Sequence, residues 1–363
     1  MLDFRLDEEQ KMLTDAISRY AEERMRKVFR DAEEEGRIPT DVIKAGWEMG
    51  VLPTGIPEEF GGFGEYSTIT GVLATEEMAW GDLAITLNVM VPNLVAVPIM
   101  LAGTEAQKEQ YLPQFCDDAM PAMTAAMTEP AIQFNPYKLK TTAVSTDNGY
   151  KINGTKTVVP LAENAELILV YANEDGQTQA FLVPTSDEGV IVTNRDKLMG
   201  IKALPTYTIT FSDVEIPAEN KLGGAEGIDF NLILNHSRVA LAAAAVGISK
   251  AGFEYARDYA KQRVQFGEPV AHRQSIAFML ADMATDIDEA RLMIWEAAWL
   301  MDQGKDATRE TAVLKQRVDE IVVNVADRAL QVLGGYGYIR EYPVELWLRN
   351  ARGFASFDGL AIV

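Results

Sequence analysis

The sequence is short of cysteine, histidine and positive charge. One cysteine, Cys116, rules out an intrachain disulfide. His236 and His272 are the two histidines, so a zinc site would have to be built mostly from carboxylates, which points away from a metalloenzyme. Lys and Arg number 33 against 54 Asp and Glu, a formal net charge of −21. A surface that acidic repels nucleic-acid backbones and anionic lipid, so nucleic acid is excluded as a partner, and an anionic ligand needs a local basic pocket. No run approaches the ~18 uncharged apolar residues of a membrane span, and MLDFRLDEEQ has no apolar signal core. The expectation is a soluble cytoplasmic protein without a membrane partner.

What is present falls into three regions. Residues 1–120 read as a helical domain. LDEEQKMLTDAISRYAEERM carries apolar residues at helical spacing, PTDVIKAGWEMGVL runs amphipathically to Gly50, and GTEAQKEQYLPQF has a capping box of Thr104 and Gln107. PEEFGGFGEYS is a Gly-rich loop but no dinucleotide fingerprint, because no strand precedes it. Over 121–227 the period becomes two. YKINGTKTVV, ELILVYAN, QAFLVPT, GVIVTNR and TYTITFSDVEI are separated by turns such as DNG and EDG, which predicts an antiparallel sheet or small barrel. Residues 228–363 read as a helical bundle. A long Ala-rich helix is capped by Gly267, two more span about 273–303 and 307–333, and a short one, VELWLRNAR, follows a Gly-rich break. The fold class is therefore mainly α with a central β domain.

Three motifs sit at particular places in that order: MTEP (127–130), RVQFGEPVAHRQSIAFMLADM (263–283) and QVLGGYGYIREYPVE (331–345). With DFRLDEEQ, PEEFGGFG and MGIKALPTYTITFSDVEIPAENKLG, they make the chain resemble the acyl-CoA dehydrogenase flavoproteins over nearly its whole length. The resemblance implies an FAD between the β domain and the bundle, with a neighbouring subunit completing the site. Arg263, Phe266 and Gln274 match the neighbour's contribution, and the forked guanidinium of Arg263 suits a pyrophosphate. Gln331, Gly334 and Gly335 match the turn against the adenosine and pyrophosphate, where glycine lets main-chain N–H groups approach. Taken singly, Arg263 also reads as a surface arginine and the glycines as a helix cap. Thr128 matches the position beside the flavin ring. Arg238 and Phe357 match substrate-side positions, whereas His236 reads more readily as a helix-surface histidine.

The family's usual base is a glutamate followed by glycine, and Asp358-Gly359 falls there. A thioester carbonyl acidifies its α-hydrogen, so a carboxylate in an apolar pocket can remove that proton while a β-hydride leaves to flavin N5. Other members carry the base just before the arginine that Arg238 matches. That position is Ser237, which cannot serve alone, so Asp358 is the candidate. The competing reading of Asp358 is an exposed acid in a frayed tail.

Four departures from the family pattern bear on activity. Asp358 is one methylene shorter than Glu, and ~1 Å of misplacement can cost ~10²-fold in rate. Aspartate there resembles members acting on cyclic acyl-CoAs. AIQFNPYKLKT lacks the usual Gly-Ser-Asp loop. Val158 and Pro160 stand where a tryptophan and a threonine flank the ring. Leu360-Ala361 replaces Thr-Ser, with no further helix before Val363. The expected activity is FAD-dependent α,β-dehydrogenation of an acyl-CoA thioester, with a cyclic or otherwise atypical acyl group as one option, by a homotetramer feeding an electron-transfer flavoprotein. The alternatives are a catalytically degenerate subunit paired with an active paralogue in a hetero-oligomer, and a redox-neutral lyase on an acyl-CoA.

Overall fold

The computed structural model describes residues 6–363. The N-terminal part holds α1 (Glu8–Tyr20), α2 (Arg26–Glu35), α3 (Thr40–Trp47), α4 (Thr68–Gly81), α5 (Leu83–Val89), α6 (Asn93–Ala102) and α7 (Glu105–Tyr111). The β domain runs β1 (Met123–Ala126), β2 (Thr142–Thr146), β3 (Gly149–Pro160), β4 (Leu167–Glu174), β5 (Gln177–Pro184), β6 (Val190–Arg195) and β7 (Thr206–Pro217). The C-terminal part holds α8 (Phe230–Gln262), a hairpin of β8 (Val264–Gln265) and β9 (Glu268–Pro269), α9 (Gln274–Asp302), α10 (Thr308–Leu333) and α11 (Val344–Ala351).

Local chemistry explains most of the boundaries. The Thr104–Gln107 capping box forms at the start of α7, and a second box, Asp7 with Gln10, opens α1. The first helical pattern is not one helix: a π-helical turn over Ala21–Met25 separates α1 from α2. The EDG turn joins β4 to β5 as a two-residue hairpin, with Asp175 at φ 50° and Gly176 at φ 89°, the pair of positive angles that matches strand twist.

The sheet order is β1-β4-β2-β3-β7-β6, with β5 on the other edge of β4. It is mixed rather than purely antiparallel. β1 runs parallel to β4, and β2 meets β4 in parallel at Thr142 and Asn173. The parallel contact arises because β1 enters the sheet directly from the helical domain instead of through a hairpin.

The sequence predicts that Gly267 caps α8, and it does not. The helix stops at Gln262 and Arg263 turns extended. Phe266 (φ 53°) and Gly267 (φ 86°) instead form the turn of the β8–β9 hairpin. α8 is long and apolar enough by itself to cross a membrane, which the sequence reading did not expect. Most of that stretch is buried among the other helices, so its apolar surface is used in the protein core.

Three contacts lock the helical layers. The Ala-rich stretch Ala240–Gly247 lets α8 approach α4 so closely that a Cβ on Gly247 would lie 2.4 Å from the Glu76 carbonyl oxygen. Arg291 of α9 grips the Glu76 carboxylate through Nε and Nη2. Arg26 of α2 lies 4.4 Å from the Trp80 ring and 4.8 Å from the Trp347 ring, joining α2, α4 and α11.

The Gly247 contact is backbone against backbone and cannot yield by a rotamer change. Gly247→Leu is expected to destabilise the protein by about 2–3 kcal/mol, read as a lower thermal midpoint. An unchanged midpoint would show that α4 and α8 are free to separate.

Candidate active site

The site starts at the end of β1, where Met127–Pro130 leaves the sheet. Its anchor is Lys156 on β3, fully buried. The Lys156 ammonium donates to the Met127 carbonyl oxygen at 2.9 Å and to Glu129 Oε1 at 3.0 Å. The Glu129 carboxylate also accepts the main-chain N–H groups of Lys140 and Thr141, at 2.7 and 2.8 Å. Burial works against the Glu129 charge, but Lys156 and the two N–H groups outweigh it and hold its pKa below the ordinary value. Burial pushes Lys156 down to about 8 against the opposing pull of Glu129, so the ammonium stays mostly charged at neutral pH. The Thr128 carbonyl oxygen accepts the Thr157 N–H, which fixes this residue over β3.

Thr128 reaches the other end of the chain. Its Oγ1 donates to the Asp358 carbonyl oxygen at 2.8 Å. The segment before Asp358 is held from α10, where Lys315 donates to the Phe354 carbonyl oxygen at 3.0 Å and to Asp319 at 2.6 Å. Phe357 is buried, its ring 5.4 Å from that of Phe354. Asp358 is half-buried, and its carboxylate makes no hydrogen bond or ion pair among the described residues. Its charge is felt at Asp319, whose pKa is raised by burial first and by Asp358 as well, against Lys315.

The tail is seated rather than frayed. Leu360, Ala361, Ile362 and Val363 are buried. Asn93 Nδ2 donates to the Ile362 carbonyl oxygen at 3.4 Å, and His236 Nδ1 lies 2.6 Å from the Val363 main-chain oxygen. That oxygen only accepts, so His236 Nδ1 carries the proton. His236 is therefore no helix-surface residue: it is 3% exposed, with Tyr66 Oη 2.9 Å from the same nitrogen. Burial pulls its pKa down to about 4, against its bond to Val363 and the charge of Asp302. The sequence did not show this because His236 stands in a polar run, Asn235-His236-Ser237-Arg238, that reads as a solvated face although Asn235, His236 and Ser237 are all buried.

Next to His236, the Ser237 hydroxyl and Arg238 Nε are buried without a hydrogen-bond partner among the described residues. Val158 sits in a bulge between Lys156 and Val159, at φ 56°. A β-branched residue rarely adopts that conformation, and such outliers gather at functional sites. The Pro160 carbonyl oxygen is already taken by Thr124 Oγ1 at 2.7 Å.

A second group gathers at the hairpin end of the bundle. Arg263 lies over the Tyr336 ring at 5.1 Å and pairs with no carboxylate among the described residues. Phe266, at the hairpin tip, is 94% exposed, with Arg273 at 5.8 Å from its ring. Gln274 opens α9, and Gln331 accepts the Gly334 N–H at the end of α10. A Cβ on Gly334 or Gly335 would meet nothing within 4 Å. No hydrogen bond, ion pair or ring contact among the described residues joins this group to Thr128, Phe357 and Asp358.

The acyl-CoA dehydrogenase N-terminal, middle and C-terminal domain families match residues 7–119, 124–214 and 229–361. The chain belongs to the acyl-CoA dehydrogenase family. It is 35% identical to a probable acyl-CoA dehydrogenase of Bacillus subtilis, covering 97% of this chain and 94% of that one. It is 33% identical to the CarC subunit of the caffeyl-CoA reductase–Etf complex of Acetobacterium woodii, covering 98% and 96%. Among solved structures, butyryl-CoA dehydrogenase from Megasphaera elsdenii superposes with a TM-score of 0.89 at 30% identity, covering 99% and 96%. Acyl-CoA dehydrogenases are FAD-dependent oxidoreductases. The open main chain at Gly334–Gly335 and the uncommitted cation of Arg263 fit the anionic end of that cofactor, and the orphaned Arg238 and Ser237 groups fit a polar ligand at the start of α8.

Removing the Lys156 charge would leave the Glu129 carboxylate buried and unpaired. Lys156→Met is expected to cost about 3–5 kcal/mol, and Glu129→Gln in the same chain to recover part of that loss in a double-mutant cycle. Additive losses would mean the two groups do not act as a pair.

His236 generates a pH prediction. Its folded pKa lies below the unfolded value of 6.5, so the unfolded state binds the proton more readily. The associated stability, about 3 kcal/mol, is present above pH 6.5 and lost as the pH falls to about 4. In denaturant titrations across that window, His236→Gln is expected to lose less stability than the native protein; parallel curves would overturn the assignment.

Proposed function

We propose that this acyl-CoA dehydrogenase family member oxidises the Cα–Cβ bond of an acyl-CoA thioester, with Asp358 as the base. The observation that carries the reading is the Thr128–Asp358 bond. It ties the loop beside the proposed ring position to the main chain of the acid, and the carboxylate itself has no partner among the described residues. A carboxylate so placed takes the α-proton. FAD supplies the acceptor for the β-hydride. Phe357 shields the acid from water, Thr128 holds its main chain, and Arg238 faces the substrate side of the site. The shorter aspartate side chain favours an acyl group that brings its α-carbon closer, such as a cyclic one.

The relatives support the substrate and acceptor classes. One is named a short-chain-specific acyl-CoA dehydrogenase and another a subunit of a complex with Etf. We propose an acyl-CoA substrate and an electron-transfer flavoprotein as acceptor for this chain too. The separation of the Arg263, Phe266, Gln274, Gln331, Gly334 and Gly335 group from Asp358 favours a site completed across subunits, as does the exposure of Phe266 and Tyr338 (94% and 87%). A homotetramer provides that arrangement, and so does a hetero-oligomer with a paralogue.

Purified protein is expected to be yellow and to bleach anaerobically with butyryl-CoA. Asp358→Asn should slow that bleaching at least ~10²-fold while retaining flavin. Bleaching at the native rate would remove Asp358 from the mechanism.

A further inference from the structure

A cavity of about 600 Å³ lies in the N-terminal domain, within the ~300–1,000 Å³ range of ligand sites. Its outer end opens beside Asp7, Glu9 and Phe63. Its inner end is walled by Val363. Thr128, Arg238, Phe357 and Asp358 do not line it.

Several polar groups on its inner walls have partners within the protein. Tyr66 Oη lies 2.9 Å from His236, Thr75 Oγ1 donates to the Gly71 carbonyl oxygen at 2.8 Å, and Asn93 Nδ2 donates to Ile362. The lining also carries the polar residues Asp7, Glu9, Glu65, Ser67 and Thr70, but its buried walls are largely apolar, with Trp47, Leu52, Val89, Met90 and Val97 among them. Such a space favours hydrocarbon over a polar ligand, because a polar group entering it would lose its water without gaining a partner.

The tail forms the partition. Asp358 is bonded to Thr128 and Gly359 lies against Met127, on one side. Five residues after Asp358, Val363 packs on α4, where a Cβ on Gly71 would lie 2.7 Å from the Val363 Cβ. We infer that Val363 determines acyl-chain length. Its side chain closes the cavity to the Asp358 side and confines the substrate to a short acyl group, and the hydrocarbon end of a longer acyl chain occupies the cavity once that side chain is removed. This rests on the acyl-thioester reading above.

The test compares anaerobic flavin bleaching and calorimetric binding with butyryl-CoA and decanoyl-CoA. In Val363→Gly the decanoyl-to-butyryl ratio, for both rate and affinity, is expected to rise at least tenfold. Thr70→Phe, which fills the cavity from α4, should return that ratio toward the native value when added to Val363→Gly. Flavin content and thermal midpoint report folding, and Val363→Ala replaces the glycine variant if that does not fold. An unchanged ratio, with butyryl-CoA still bleaching the flavin, overturns the inference and leaves the dehydrogenase reading standing. Decanoyl-CoA binding that Thr70→Phe weakens equally in the native and Val363→Gly proteins, with no change in bleaching ratio, overturns it in favour of a separate site fed from the outer mouth. Failure of every acyl-CoA to bind or bleach overturns both readings.

Discussion

Lys156 carries a charged group into the centre of a sheet domain, and the placement of the proposed active site follows from how that charge is satisfied. Its ammonium holds the Met127 carbonyl and the Glu129 carboxylate together, and Glu129 in turn holds two N–H groups of the returning chain. A buried ion pair of this kind adds little net stability over an apolar replacement, because desolvation offsets most of the attraction. What it does provide is direction. The loop has one arrangement in which all of these groups are bonded, and in that arrangement Thr128 faces the tail and holds Asp358.

The tail depends on that loop and on the helical domains together. Between Asp358 and Val363 it touches Thr128, Asn93 and His236, which come from the β domain, the N-terminal helices and the bundle. Burying it costs the ionisation of His236 and spends the hydrogen bonds of Asn93. In return the acid gains a fixed main chain. The arrangement also places Val363 as the division between the proposed chemistry and an apolar space that no residue of that chemistry lines.

Charge is organised at two scales. The chain as a whole is strongly acidic, at −21, and two arginines of the helical layers are matched locally, Arg291 by Glu76 and Arg349 by Glu33 and Glu345, while Arg26 is held on the rings of Trp80 and Trp347. Arg263 stands apart, on an aromatic ring and beside open glycine backbone. A cation left uncommitted in an acidic protein is where an anionic ligand meets the least repulsion.

Much of the architecture is legible in the sequence. Helical spacing, the period-two strands, the Thr104 capping box and the DNG and EDG turns all act within a few residues of themselves, so their consequences can be read locally. The ordered motifs gave the family and the position of Asp358 for the same reason. Other features depend on residues far apart in the chain. Gly267 reads equally well as a helix cap or a hairpin turn, and packing beyond α8 chose the hairpin. The parallel entry of β1, the burial of His236 and the pairing of Lys156 with Glu129 are likewise absent from any short window. The seating of Leu360–Val363 is the clearest case: four apolar residues near a chain end carry no local preference, and only the meeting of three domains creates the surface that buries them.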